Sequence, residues 1–167
     1  MALTLEQLCA GIRSTLQADS GVAGRQAVVA LVKQALQDAA FVARHITKED
    51  CKPRKVLFED PQLGFAVCGH YYEGKAAGKP HDHGSSWAIY GLAAGTTEMT
   101  DWTIIKPGEG AAPALVEPVR TYQLRPGDAH FYDVGAVHSP MFDGVTKLLR
   151  IEGANLDKVQ RSNIAAA

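Results

Sequence analysis

Leu5, Leu8, Cys9, Ile12 and Leu16 return at helical spacing behind Thr4, which forms a capping-box pattern with Gln7, and the run stops at Asp19-Ser20-Gly21. A second stripe follows Gly24, with Val28, Leu31, Val32, Ala35, Leu36 and Ala39 on one face, and predicts a helix ending near Arg44-His45-Ile46. From Pro53 onward the pattern changes. Short runs rich in Val, Ile, Tyr, Phe and Trp alternate with Gly, Pro, Asn and Asp, the punctuation of an all-β sandwich or barrel. This predicts strands over Lys55–Glu59, Phe65–Tyr72, Lys79–His83, Ser86–Ala93, Thr96–Lys106, Val119–Leu124, Ala129–Val134, Val137–Met141 and Lys147–Glu152. Turns fall at 60–64, 106–110, 125–128 and 143–144. The expected organisation is a helical lead-in over 1–50, a barrel over 51–154 and a mildly helical, frayed tail over 155–167, all in one domain.

Charge and composition narrow the partners. Seventeen Lys and Arg against eighteen Asp and Glu leave a net charge of −1, so nothing electrostatic recommends a nucleic acid or an anionic membrane. No stretch is long and apolar enough to span a bilayer, and the N-terminus lacks a basic region followed by an apolar run. Cys9, Cys51 and Cys68 are odd in number and form no close pair, which suits a reducing compartment, and a cytoplasmic protein is the expectation. A small anionic substrate remains open as a partner, as does a second copy in a homodimer.

The candidate chemistry lies in Pro80-His81-Asp82-His83-Gly84-Ser85-Ser86-Trp87 and, downstream, Gly135-Ala136-Val137-His138. His81 and His83 are two apart, so on a strand both imidazoles project from one face and reach one ion. His138 follows a Gly-containing turn at the head of an apolar strand, a place from which a third imidazole folds back beside the pair. Three neutral nitrogens leave coordination positions open, as in a catalytic rather than a structural metal site. Imidazole suits zinc, copper, nickel and iron alike, so the metal stays open at this point. His130 is the rival third histidine, with strand packing preferred, and His70 alternates with Tyr72 as either a barrel-lining or a core residue. Asp82 points to the face opposite the pair. Arg150 is the one guanidinium in an apolar late strand, where it either faces the cavity and clamps a carboxylate or pairs outside with Glu152 or Glu98. The tyrosines and tryptophans read mostly as core.

The histidine pair, Gly95 closing its hairpin, Pro126-Gly127-Asp128 and the histidine after Gly135 together resemble the cupin superfamily over roughly 65–152. Cupins commonly carry a glutamate ligand shortly after the second histidine, but here Ser85, Ser86, Trp87 and Ala88 fill that window. With Gly95-Thr96-Thr97-Glu98-Met99-Thr100-Asp101-Trp102, this is similar to the cysteine dioxygenase branch, whose iron is held by three histidines. The resemblance implies a mainly β, cupin-type β-barrel (jelly roll) with two N-terminal α-helices. It further implies Fe(II) on His81, His83 and His138, with Zn, Ni, Mn or Cu as alternatives, and oxidation of a small thiol by O2. Arg54 or Lys55 stands where that family binds the substrate carboxylate. Ala88 occupies the place of the cysteine that cross-links in animal enzymes, so no cross-link forms. Lys147-Leu148-Leu149-Arg150-Ile151-Glu152 lacks the histidine and tyrosine of that family's last strand.

Overall fold

A computed structural model describes residues 3–167. Two five-stranded sheets face each other. The first runs in the order β1 (Arg54–Glu59), β2 (Ala66–Tyr72), β9 (Thr146–Glu152), β4 (Ala88–Ala94) and β7 (Ala129–Tyr132). The second runs β10 (Ile164–Ala166), β6 (Ala114–Leu124), β5 (Thr97–Lys106), β8 (His138–Phe142) and β3 (Ala76–Ala77). Every pairing is antiparallel except β10 on β6.

Strand periodicity divides the apolar residues between two cores. Ala88, Tyr90 and Leu92 of β4 and Leu148 of β9 join Met99, Leu124, Tyr132 and Phe142 between the sheets. Ile89, Leu149 and Ile151, one residue out of phase, pack with Val67 against the helices. The helices are α1 (Leu5–Ala18), α2 (Val22–Gln37), α3 (Ala39–His45) and the single turn α4 (Lys48–Cys51). The Thr4–Gln7 capping box is present at α1. Helix α2 rides directly on β4: a Cβ added at Gly91 would lie 2.6 Å from Val32 Cγ1 and 3.0 Å from Leu36 Cδ1.

Three expectations are corrected. The second helix is not continuous to Ile46, because the extended Asp38 accepts hydrogen bonds from the Ala40 and Phe41 amides and starts a new helix; with the separate turn α4, the described residues hold four α-helices rather than two. β6 begins at Ala114 rather than Val119, since Leu115 and Val116 pair with both β5 and β10; Pro118 is accommodated where the β5–β6 register shifts. The tail is neither helical throughout nor frayed. Leu156 and Asn155 are buried, a 3-10 turn spans Leu156–Lys158, and β10 adds an edge strand to the second sheet.

Candidate metal centre

His81 and His83 do not lie on a regular strand, contrary to the spacing argument. His81 makes an isolated bridge with His138, each amide donating to the other's carbonyl at 3.0 Å, and His83 lies in the turn that Gly84 closes at φ +57°. The His83 carbonyl accepts the Ser86 amide at 3.0 Å. The turn nevertheless brings the rings together. Centroid separations are 5.5 Å for His81–His83, 4.7 Å for His81–His138 and 4.8 Å for His83–His138, and the nearest donor atoms of all three lie within 4.8 Å of one another.

The protonation pattern suits a cation. His81 Nδ1 lies 2.8 Å from the Lys79 carbonyl and His138 Nδ1 lies 3.1 Å from the Ala136 carbonyl. A carbonyl only accepts, so each Nδ1 carries the proton and each Nε2 presents a lone pair. His138 Nε2 is buried with no hydrogen-bond partner. A buried orphan acceptor beside two other imidazoles fits a bound divalent ion, which His81, His83 and His138 would hold, and no carboxylate belongs to the group.

Around the imidazoles the barrel is lined with tyrosines. The Tyr132 ring stacks on His138, with centroids 3.9 Å apart and planes at 20°. The Tyr132 hydroxyl lies 2.6 Å from that of Tyr122, which in turn donates to Asp101 at 3.2 Å. On the other side the Tyr90 hydroxyl stands 3.4 Å from His83 Nε2 and accepts from Arg150 Nη1 at 3.2 Å. Arg150 thus faces the interior, correcting the outside alternative, and its partner there is Glu152. Arg150 Nε donates to Glu152 Oε1 at 2.8 Å, and Nη2 reaches the same oxygen. Glu152 also accepts from Arg54 Nη2 at 2.9 Å and from the Leu156 amide at 2.9 Å. Despite its burial, Glu152 is held below the ordinary carboxylate range by Arg150, the Leu156 amide and Arg54.

The remaining candidates fall elsewhere. Arg54 is tied up at both terminal nitrogens, its Nη1 donating to Asp157 at 2.7 Å in addition to the Glu152 bond, while its buried Nε has no partner among the described residues. Lys55, one residue on, takes the opposite face and pairs with Asp50 at 2.7 Å, away from the imidazoles. His130 packs on Tyr122 and Tyr132 at 5.1 and 4.6 Å and is outside the cluster. His70 is buried, with Nδ1 2.9 Å from the Tyr72 hydroxyl. Asp82 turns away from the rings and accepts from Gly84 N, Ser162 N and Ser162 Oγ at 3.0, 3.0 and 2.5 Å. Tyr90, Tyr132 and Glu152 are the interior residues that their sequence context did not single out. The pairing of Arg150 with Glu152 two residues on, in an otherwise apolar strand, was the signal available. A surface cleft of about 410 Å3 touches Asp82, Ser162 and Ile164 but none of the three imidazoles.

No family model matches the sequence, and no curated protein matches it. Solved structures resemble it in fold alone. A double-stranded β-helix protein from Klebsiella pneumoniae is 15% identical over 74% of this chain and 88% of its own, at a TM-score of 0.49. KdgF from Halomonas is 19% identical over 62% and 80%, at 0.46. A cupin-2 domain protein from Shewanella frigidimarina is 16% identical over 61% and 80%, at 0.43. The fold is a mainly β barrel of two facing five-stranded sheets. Among the described residues, no helix is long and apolar enough to cross a membrane.

Burial makes the metal-free barrel acid-sensitive. Desolvation is the largest cause lowering His70, His83 and His138, the last to about 3. Folded, these rings stay neutral; unfolded, they take protons near pH ~6.5. The unfolded chain therefore binds more protons below that pH, and stability falls as pH drops through it. The lowered carboxylates Asp82 and Glu152 act only at lower pH, below their ordinary values of 3.8 and 4.5. The urea midpoint of metal-free protein is expected to be lower at about pH 5.5 than at about pH 8. An equal midpoint at both would show that the imidazoles are not buried neutral.

Proposed function

We propose that this chain is a mononuclear non-haem iron dioxygenase that oxidises a small thiol, of cysteine or 3-mercaptopropionate size, to the sulfinate with O2. The observation that carries the reading is the all-imidazole donor set, with one buried Nε2 left without a partner and no carboxylate beside it. Iron held there would keep its full positive charge, favour an anionic sulfur donor and mediate its oxidation, the four electrons that reduce O2 coming from the thiol sulfur as it becomes a sulfinate. The chain's own residues do the rest. The Lys79 and Ala136 carbonyls hold the His81 and His138 tautomers. The Tyr90 hydroxyl, fixed by Arg150, holds a proton at Oη beside His83. Met99, Phe142, Leu148 and Leu92 exclude water from the interior. A reducing, cytoplasmic setting belongs to the reading and is supported by three buried, unpaired cysteines.

A second reading, a metal-assisted lyase or isomerase, is favoured by the Tyr122–Tyr132 hydroxyl pair next to His138, a proton-handling group that a dioxygenation does not need. Oxygen separates the two. Iron-loaded protein offered a panel of small thiols is expected to consume one O2 per thiol lost and to release a sulfinate. Turnover that continues anaerobically would replace the dioxygenase with the lyase. Thermal stabilisation by a thiol without any turnover would leave a ligand-binding barrel.

A further inference from the structure

The loop that carries His81 and His83 lies along the C-terminal segment from Trp87 back to Asp82. The Gly153 amide donates to the Trp87 carbonyl at 2.9 Å, and the Ala154 amide to Ser86 Oγ at 3.0 Å. Farther on, the Gln160 carbonyl abuts Gly84, where an added Cβ would collide with it. Ser162 closes the series, donating to Asp82 Oδ1 from its amide at 3.0 Å and to Oδ2 from its hydroxyl at 2.5 Å. Beyond it the Asn163 carbonyl accepts the Ala114 amide and β10 continues on β6, so this strap is anchored to the second sheet just past the loop.

Asp82 is buried, and Ser162 occupies both of its oxygens, with Oδ1 also accepting the Gly84 amide at 3.0 Å. The carboxylate is therefore spent on holding the turn and is free neither to bind an ion nor to carry a proton. The three imidazoles are not held alike. His81 and His138 each set Nδ1 against a backbone carbonyl, which fixes the ring. Among the described residues, neither nitrogen of His83 meets a backbone carbonyl; the ring's one polar contact is the Tyr90 hydroxyl, 3.4 Å from Nε2. The aim of His83 thus depends on the backbone of its turn, and Asp82 and Gly84, the residues on either side of it, are the ones the strap grips. We infer that Ser162, acting through Asp82, is a positioning residue for the metal centre, so that the C-terminal strap helps to set how tightly the ion is held. The inference rests on the metal reading above and adds a segment about 80 residues away in sequence to what builds the site.

The test is the cobalt(II) affinity of wild type, Ser162→Ala, Ser162→Thr, Asp82→Ala, a variant carrying both alanines, and Asn163→Ala. Loss of a bond that supports a ligand predicts roughly 10- to 100-fold weaker cobalt binding by Ser162→Ala, with Ser162→Thr, which keeps the hydroxyl, near wild type. Because Ser162 acts through Asp82, the variant with both alanines should bind no more weakly than Asp82→Ala alone. Asn163→Ala loosens the strap elsewhere, where Nδ2 donates to the Ala111 carbonyl at 3.1 Å, and should leave cobalt binding unchanged. Ser162→Ala that binds cobalt as tightly as wild type, or Asn163→Ala weakened to the same degree, overturns the assignment. Wild type that takes up no cobalt overturns the metal reading instead, and amide exchange over 81–86 in the metal-free proteins then decides. Quicker exchange in Ser162→Ala than in Asn163→Ala keeps Ser162 as the residue that pins the turn; equal exchange removes it.

Discussion

His138→Ala is expected to purify without metal and without activity while keeping the barrel. Its ring is the one in contact with both others, at 4.7 and 4.8 Å, and its Nε2 is a buried acceptor with no partner among the described residues. Removing it leaves two neutral imidazoles from one short turn and no third donor from the opposing strand. The loss in affinity should exceed the roughly 10–100-fold that follows when only a supporting hydrogen bond to a ligand is removed. His83→Ala should behave alike. Metal content by mass spectrometry, beside circular dichroism of the metal-free proteins, decides the matter: a His138→Ala protein that retains stoichiometric metal sinks the ligand assignment.

The imidazole trio is legible in the sequence because its signals are local: a histidine spacing of two, and a glycine turn ahead of a strand. A shared strand face does not account for that spacing. His81 and His83 converge through a turn at Gly84 and a bridge to His138, not through a shared strand face. Strands were found mostly by their punctuation. β4 and β9 are covered by helices on one side and by the second sheet on the other, so alternation disappears from their polarity, and only the flanking turns mark them. What could not be read was long-range. Asp82 and Ser162 are 80 residues apart, and Arg54 and Glu152 are 98 apart. No local pattern announces either contact, so the sequence alone reads the tail as a frayed end and Arg54 as a candidate for the substrate carboxylate.

The interior ion network carries the largest expected effect on stability. Glu152 has no exposed surface, yet it accepts from Arg54, Arg150 and the Leu156 amide at once. Glu152→Ala strips the carboxylate from the buried Arg150 and leaves Arg54 with Asp157 alone, and breaking a buried pair in this way costs about 3–5 kcal/mol. For a chain of this size each kcal/mol is worth roughly 2–4 °C, so metal-free Glu152→Ala should melt on the order of 6–20 °C below wild type. Glu152→Gln, which keeps the shape and some of the bonds but not the charge, should fall between them. The damage should also spread in two directions. Leu156 and Asn155 lose their anchor on Glu152 and Arg54, so amide exchange across 155–167 should quicken. Arg150 loses the partner that aims it at Tyr90, and Tyr90 at His83, so metal affinity should weaken by roughly 10–100-fold. Lys55→Ala is the control: its pair with Asp50 lies on the exposed face of the same strand, and neither Tm nor metal content should move. A Glu152→Ala protein that melts with wild type would mean that the two arginines find water or other partners in the barrel, and the network would then have no claim on the stability of the metal centre.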